Sequence, residues 1–210
     1  MLRMLIADDH SVVRQGMVQI LKFAFPEVEI DQAKCGIEVL GLFWKHAYDA
    51  VILDISMPGR NGLDILADLK AIRPEVPVMI FSIYSEEQYA IQAIKAGASA
   101  YLMKDCEPEE LILALKKMLR GKLHFGERVF ENLVKGINTG GGASPQEILS
   151  PREMEVMQLI ARGKRLSEIA EILSISASSV STHRRRILKK LRLKNTAQIV
   201  RYSIEHQVDF

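Results

Sequence analysis

Apolar runs alternate with periodic apolar segments along the first 120 residues of the chain. The short apolar runs predict strands at residues 3–7, 28–33, 51–53, 76–82 and 99–103. Apolar positions three to four residues apart predict helices at residues 12–25, 36–46, 63–72, 86–96 and 108–120. In the second of these helices the apolar positions at helical spacing are Ile37, Leu40 and Trp44. Five strand–helix alternations are typical of a doubly wound α/β fold, with a five-stranded parallel sheet and helices on both faces.

Polar residues mark the carboxyl ends of four of the predicted strands. Asp8 and Asp9 follow the first strand, Asp54 follows the third, Ser82 ends the fourth, and Lys104 follows the fifth. Right-handed crossovers bring the carboxyl ends of parallel strands to one edge of a sheet. We therefore expect these five side chains to lie close together. The alternative is that these strand ends are polar only because strand ends usually are.

This set of carboxylates, hydroxyl and lysine suits phosphoryl transfer. Mg²⁺ prefers oxygen ligands, which Asp9 and Asp54 can supply directly and Asp8 through a water molecule. Asp54 can also act as a nucleophile and form an acyl phosphate. Ser82 and Lys104 can then bind phosphoryl oxygens. The sequence thus predicts a magnesium site beside a phosphoacceptor aspartate.

The last third of the chain shows only helical periodicity. The predicted helices span residues 149–163, 166–173, 177–191 and 196–206. Ser150 and Glu153 form a predicted capping box around Pro151, and Ser167 is the predicted cap of the next helix. A three-residue connection at 174–176 joins the second and third helices, which is typical of a helix-turn-helix. We therefore expect an all-α, four-helix second domain.

A Gly-, Ser- and Pro-rich run at residues 138–145 predicts a flexible linker. It divides the chain into a first domain at residues 1–121, a linker at residues 122–146 and a second domain at residues 147–210. A short helix at residues 129–134 is possible within the linker.

Charge is distributed unevenly between the two predicted domains. The first 120 residues carry 13 Lys and Arg against 17 Asp and Glu, whereas residues 147–210 carry 12 against 7. Residues 177–194 hold seven cations and no acid. A basic second domain indicates a polyanionic partner such as double-stranded DNA, although a solvated basic face is the simpler alternative.

The sequence predicts neither membrane insertion nor secretion. No apolar run has the length of a membrane span and the N-terminus lacks a signal-peptide pattern, so we expect a cytoplasmic protein with no membrane partner. Cys35 and Cys106 are isolated, which predicts free thiols. The five histidines are scattered along the chain, which predicts no transition-metal site.

Residues 1–120 resemble the receiver domain of a two-component response regulator. The resemblance rests on Asp8-Asp9, on the segment D-I-S-M-P-G-R-N-G at residues 54–62, on Ser82, and on the segment A-S-A-Y-L-M-K that ends at Lys104. It implies a flavodoxin-like sheet of strand order 2-1-3-4-5 and a sensor histidine kinase as partner.

The same resemblance implies roles for individual residues. Asp54 is the implied phosphoacceptor, and Ser82 and Lys104 bind the phosphoryl group. Tyr101 is the implied switch aromatic, which moves inward on phosphorylation. Asp105 follows the lysine where many receivers have proline, so the conformation of the Lys104–Asp105 bond is left open. The implied Mg²⁺ ligands are three carboxylates and one main-chain carbonyl, from Asp8, Asp9, Asp54 and Ser56.

Residues 149–191 resemble the LuxR-type DNA-binding domain, so the whole chain resembles a response regulator of the NarL/FixJ type. The matching segments are L-S-P-R-E at 149–153, L-I-A-R-G at 159–163, E-I-A-E-I-L at 168–173 and S-V-S-T-H-R-R-R-I-L-K-K-L at 179–191. The implied base contacts are Ser181, Thr182 and Arg185. The implied phosphate contacts are Ser178, Ser179, His183, Arg184 and Lys189.

These features support the hypothesis of a transcription factor controlled by phosphorylation. A histidine kinase phosphorylates Asp54 with Mg²⁺, which promotes homodimerisation or exposes the DNA-binding domain, and paired DNA half-sites are bound. The chain is then no enzyme beyond promoting its own phosphorylation and dephosphorylation. Two alternatives stay open. One is a DNA-binding regulator whose receiver works without phosphorylation, and the other is an aspartyl-phosphate phosphotransferase or phosphatase.

Overall fold

The computed structural model describes residues 1–58, 60–127, 129, 148–206 and 208. The chain divides into two compact units, Met1–Gly140 and Gly141–Phe210. The predicted linker run at 138–145 lies outside the described residues, as does the possible helix at 129–134 apart from Val129. None of the described helices is both long enough and apolar enough to cross a membrane.

The first unit is a parallel five-stranded sheet of order β2-β1-β3-β4-β5, which confirms the predicted fold class and strand order. The strands are β1 Arg3–Ala7, β2 Glu29–Ala33, β3 Ala50–Leu53, β4 Val78–Ser82 and β5 Ala100–Met103. The helices are α1 Ser11–Ala24, α2 Gly36–Lys45, α3 Gly62–Ile72, α4 Glu86–Lys95 and α5 Pro108–Met118.

Two hydrophobic cores cover the two faces of this sheet. Alternate residues of the strands, such as Leu5 and Leu53, pack against α2, α3 and α4. Their neighbours, such as Ile6 and Ile52, pack against α1 and α5. Because both faces are buried, the central strands read as continuous apolar runs and not as alternating ones.

The buried face of α2 differs from the predicted one. Val39 and Phe43 are fully buried, whereas Ile37 and Trp44 are 81% and 68% exposed. A stripe at 36, 39 and 43 and a stripe at 37, 40 and 44 have the same helical spacing. The sequence pattern therefore could not choose between them, and packing on the sheet did.

The chain beyond α5 continues to pack on the first unit. His124 donates its backbone N–H to the Ser99 carbonyl at 3.0 Å, and the His124 carbonyl accepts from Tyr101 N at 3.2 Å. Val129 is 2% exposed within the core beneath α2, α3 and α4. These contacts extend past residue 121, and the domain boundaries themselves stay a prediction.

The second unit contains four described helices, as predicted. They are α6 Pro151–Ala161, α7 Leu166–Ile172, α8 Ala177–Lys190 and α9 Thr196–Glu205. Their core includes Val156, Ile169, Val180, Ile187 and Ile199, which are all fully buried.

The ends of α6 and α7 are fixed by glutamates. In α6 the predicted capping box is present, with Ser150 N donating to Glu153 Oε2 at 2.9 Å. The predicted cap of α7 is wrong by two residues. Its N-cap is Arg165, whose N–H donates to Glu168 Oε2 at 2.7 Å, so Ser167 lies inside the helix.

Candidate functional site

The carboxyl edge of the sheet holds a buried cluster of two carboxylates and one ammonium group. Lys104 Nζ lies 2.8 Å from Asp8 Oδ2 and 3.0 Å from Asp54 Oδ2. The side chains of both aspartates are 1% exposed, and that of Lys104 is 8% exposed. The sheet thus joins three residues that are far apart in the sequence, as the strand-end pattern predicts.

Backbone hydrogen bonds that continue the sheet beyond the strand ends hold this cluster. Asp54 N donates to the Ala7 carbonyl at 2.8 Å, and Lys104 N donates to the Ser82 carbonyl at 2.8 Å. The Lys104–Asp105 peptide bond is trans, as are all the others among the described residues.

The loop after Asp54 returns closely to the strand end. Gly62 N donates to the Ile55 carbonyl at 2.9 Å. A Cβ atom at Gly62 would lie 2.1 Å from the Asp54 carbonyl oxygen and 2.8 Å from Ile55 Cα. Glycine is therefore required at the first residue of α3 if the backbone at Asp54 is to keep its position.

Burial and the neighbouring charges have opposing effects on the two central groups. Burial raises the pKa of Asp54, and this exceeds the lowering effect of Lys104; the charge of Asp8 raises it further. Burial alone would lower the pKa of Lys104, but Asp54 and Asp8 outweigh it and the pKa is raised. The lysine therefore stays charged, and its single positive charge does not neutralise both Asp8 and Asp54.

The donor set fits Mg²⁺. Asp8, Asp9, His10 and Asp54 each offer one ligand atom, and the four atoms lie within 4.8 Å of one another. Asp54 Oδ1 is buried and accepts no well-aligned hydrogen bond within the described parts of the chain. Buried carboxylate oxygens without such partners are the ligands that a hard divalent cation requires. The implied role of the Ser56 carbonyl stays a prediction.

Ser82 and Tyr101 both hydrogen-bond the backbone of Tyr84, a residue that was not among the predicted site residues. Tyr84 N donates to Ser82 Oγ at 3.3 Å, and Tyr101 Oη donates to the Tyr84 carbonyl at 3.0 Å. Ser56 Oγ donates to Tyr84 Oη at 3.1 Å. Tyr101 is 1% exposed, so its ring already has the inward position that was expected only after phosphorylation. Burial raises the pKa of Tyr101 far above its ordinary value.

His10 is the second residue that the sequence analysis overlooked. Its ring Nδ1 lies 2.8 Å from Asp9 Oδ1 and 3.3 Å from Asp8 Oδ1. Its position directly after Asp8-Asp9 was the available signal. The signal for Tyr84 was its position two residues after Ser82.

On α8, five of the predicted DNA contacts share one face. Ser178, Thr182, Arg185 and Lys189 are exposed and recur every three to four residues, and the partly exposed Ser181 borders them. We call these five residues the outer face of α8. The face combines hydroxyl groups and cations and carries no acid, which suits contact with the edges of bases and with phosphates.

The other three predicted contacts lie away from the outer face. His183 is half-buried on the side of Val180 and Ile187, and this burial lowers its pKa. Arg184 Nη1 donates to Thr196 Oγ1 of α9 at 3.3 Å. Ser179 Oγ lies 2.8 Å from Ser176 Oγ, the N-cap hydroxyl of the helix.

The fold and the two candidate surfaces define a class of protein: a doubly wound α/β domain with an acidic cluster at its sheet edge, followed by a helix-turn-helix domain. Residues 4–116 match the family model described as "Response regulator receiver domain". Residues 147–203 match the one described as "Bacterial regulatory proteins, luxR family". The chain therefore belongs to the response regulators that combine a receiver domain with a LuxR-type DNA-binding domain.

A full-length relative and a solved receiver domain agree with this assignment. Oxygen regulatory protein NreC of Staphylococcus carnosus is 34% identical over 214 residues, which cover 99% of both chains. A response regulator receiver domain protein of Clostridium thermocellum is 30% identical with a TM-score of 0.53, over 57% of this chain and 95% of its own.

A third similarity concerns the fold alone. RcsB of Salmonella enterica serovar Typhimurium, solved bound to promoter rprA with the phosphomimetic BeF3−, is 23% identical. The alignment covers 96% of this chain and 98% of RcsB with a TM-score of 0.57.

Proposed function

We propose that phosphoryl transfer from a sensor histidine kinase to Asp54 controls DNA binding by the second unit. The observation that carries this proposal is the buried Asp54 carboxylate, held 3.0 Å from Lys104 and beside Asp8 and Asp9. A structural ion pair would not need a second buried carboxylate on the same lysine and a third carboxylate beside them. A site that accepts a phosphoryl group, by contrast, requires a nucleophile, metal ligands and a cation together.

In the proposed reaction an oxygen of Asp54 attacks the phosphorus of a phosphohistidine. The new P–O bond forms as the P–N bond breaks, and the electron pair of that bond returns to the imidazole of the kinase. Asp8, Asp9 and Asp54, with the Ser56 carbonyl, would hold Mg²⁺, which supplies positive charge against the phosphoryl oxygens. Lys104 needs little movement, because its ammonium group already contacts Asp54.

The signal would leave the site through Ser82 and Tyr84. A hydrogen bond from the Ser82 hydroxyl to a phosphoryl oxygen turns this hydroxyl towards Asp54 and strains its present contact with Tyr84 N. Tyr84 is two residues before the first residue of α4 and also binds Tyr101. Since Tyr101 is already inward, we expect the larger rearrangement in the Tyr84 backbone and in α4.

The DNA side of the proposal rests on the outer face of α8. We propose that Ser181, Thr182 and Arg185 contact bases and that Ser178 and Lys189 contact phosphates of a major groove. Phosphorylation would promote homodimers that bind paired half-sites. Shifting the population from 1% to 99% active needs about 5.5 kcal/mol of differential stabilisation. Several contacts of a phosphorylated dimer on DNA would supply it together.

The decisive experiment measures DNA affinity at fixed salt, on an operator enriched from a random library. Acetyl phosphate with Mg²⁺ should tighten binding by the wild-type chain at least about tenfold, which corresponds to about 1.4 kcal/mol. Asp54→Asn should abolish this gain, whereas Asp64→Asn, an exposed aspartate of α3, should retain it.

Two outcomes would contradict the proposal. Equal affinity with and without phosphorylation would indicate that the receiver acts on DNA binding without being phosphorylated. Turnover of a phosphorylated metabolite without specific DNA binding would support a phosphotransferase or phosphatase.

A further inference from the structure

We propose that the chain just after α5 is a regulatory strap, which is bound to α4 in this structure and couples that helix to the second unit. We call residues 122–127, together with the buried Val129, the strap. The sequence analysis placed these residues in the linker, but they pack on the first unit. The inference rests on the proposed function and names the segment that passes the change at Asp54 to the second unit.

The strap begins on the edge of the sheet. β5 is an outermost strand, so its free edge would present unpaired backbone groups. His124 covers part of this edge, since its N–H donates to the Ser99 carbonyl at 3.0 Å and its carbonyl accepts from Tyr101 N at 3.2 Å. The His124 ring is held by α5, because Lys117 Nζ lies 3.1 Å from its Nδ1. The strap is therefore bonded to the backbone of Tyr101, the implied switch aromatic.

The strap then reaches the first residue of α4. Gly126 N donates to Glu86 Oε1 at 2.6 Å, and Glu86 begins that helix. Hydrogen bonds to an ionised carboxylate are stronger than those between neutral groups. Phe125 and Val129, which flank Gly126, pack in the same core as Tyr89 of α4. The strap is thus held by a polar bond to α4 and by apolar burial in the core beneath it.

A short path connects the acidic cluster to this contact. Tyr84 N donates to Ser82 Oγ at 3.3 Å, and the rings of Tyr84 and Tyr89 meet edge to face with their centroids 5.4 Å apart. When Ser82 turns towards a phosphoryl oxygen, the Tyr84 backbone and the first turn of α4 should shift together. A hydrogen bond weakens steeply as its length and angle depart from the ideal, so this shift should release Gly126 from Glu86.

Release of the strap changes how the second unit is attached. The chain runs from the strap through the predicted linker into the second unit. A bound strap fixes the point at which this chain leaves the first unit, whereas a released strap lengthens the tether. We expect the longer tether to let the second units of a dimer reach paired half-sites.

The test combines amide hydrogen exchange at Gly126 with DNA affinity, both measured on the full chain at fixed salt. Phosphorylation by acetyl phosphate and Mg²⁺ should speed this exchange by about tenfold or more, as loss of a hydrogen bond to a charged group predicts. Glu86→Ala should do the same without phosphorylation and should tighten DNA binding by the unphosphorylated chain at least about fivefold. Glu86→Gln keeps an oxygen acceptor and should fall between Glu86→Ala and wild type.

Gly126→Ala releases the strap from the other side of the same bond. A Cβ atom at Gly126 would lie 2.7 Å from Glu86 Oε2, so the flexible carboxylate must move away. This variant should reproduce both effects of Glu86→Ala. Glu127→Ala is the matched control, because it removes an exposed acid of the strap and should change neither exchange nor affinity.

The outcomes separate this inference from the proposed function. If phosphorylation tightens DNA binding while exchange at Gly126 stays unchanged, the inference is overturned and the proposed function stands. If Glu86→Ala and Gly126→Ala speed exchange but leave DNA affinity unchanged, the inference is overturned as well. If both variants tighten DNA binding while phosphorylation changes neither quantity, the strap couples α4 to the second unit and the proposed control by Asp54 fails.

Discussion

At the scale of single residues, burial prepares Asp54 for its proposed chemistry and also makes its ionised form unfavourable for folding. The fold removes the carboxylate from water and places it beside Asp8, which raises its pKa above the ordinary value of 3.8. A carboxyl group with a raised folded-state pKa favours the folded state below its ordinary pKa. This contribution is lost as pH rises through the folded-state pKa, so ionised Asp54 destabilises the protein at neutral pH.

Asp54→Asn should therefore stabilise the first unit at neutral pH. We expect a gain in the free energy of unfolding, because an asparagine side chain is buried there without the cost of an ionised carboxylate. The gain should shrink as pH falls towards 3.8. Thermal unfolding followed by the fluorescence of Trp44, the single tryptophan, measures it.

Asp64→Asn is the matched control, because this exposed aspartate lies in the first turn of α3 and should lose a few tenths of a kcal/mol. Mg²⁺ should raise the melting temperature of the wild-type chain and not that of Asp54→Asn. A destabilised Asp54→Asn variant would contradict the raised pKa.

Gly62 sets the position of the Asp54 backbone, so its substitution should damage both stability and phosphorylation. In Gly62→Ala the new methyl group would lie 2.1 Å from the Asp54 carbonyl oxygen, and the loop must move away. We expect a loss of about 2 kcal/mol or more in urea unfolding and a lower yield of phosphorylated Asp54.

Gly41→Ala is the control for this substitution. Gly41 lies within α2, and nothing is found within 4 Å of a Cβ built there. The alanine should therefore stabilise the helix by up to about 1 kcal/mol. Equal effects of the two substitutions would show that the close approach at Gly62 is not required.

At the scale of helices, periodicity identifies an element but not always its buried face. The two apolar stripes of α2 have equal spacing, and only packing on the sheet buried Val39 and Phe43 in place of Ile37 and Trp44. On α8 the same tertiary effect separated Arg185, which is exposed, from Arg184, which bonds Thr196. Cations adjacent in the sequence thus have different surroundings.

The N-terminus of α6 depends on a buried glutamate with two roles. Glu153 accepts from Ser150 N at 2.9 Å and contacts Lys190 Nζ of α8 at 2.7 Å, and it is 2% exposed. Glu153→Ala should destabilise the second unit by about 2 kcal/mol, since a cap and a half-buried ion pair are lost together.

Calorimetric unfolding of the full chain checks this expectation. The transition of the second unit should shift to lower temperature, and that of the first unit should stay in place. Glu171→Ala, an exposed glutamate of α7, should shift neither transition. If Glu153→Ala loses no more stability than Glu171→Ala, Glu153 does not stabilise the second unit by linking α6 to α8.

At the scale of the whole molecule, charge separates the two tasks. The acidic first part suits a cation site, and the basic second part suits a polyanion. Because DNA binding releases counterions, the dependence of the affinity on salt reports how many phosphates are neutralised by cations of the protein.

Lys189→Ala should reduce the slope of log affinity against log salt by about 1, since one exposed cation of the outer face of α8 no longer meets a phosphate. Arg184→Ala should leave the slope unchanged, because Arg184 bonds α9 and does not belong to the outer face of α8. DNA binding by the phosphorylated chain from low to moderate salt measures both. Equal slopes for the two variants would contradict the assignment of the outer face.

The sequence by itself determined the order of strands and helices, the capping box of α6, and the set of residues at the strand ends. These follow from local periodicity and from the fixed handedness of strand–helix–strand connections. Only the tertiary structure decided that Tyr84 and His10 belong to the site, that Tyr101 is already buried, and which cations of α8 face outward. Such features depend on distances between elements, and these are set by the packing of the cores and not by the spacing of residues along one element.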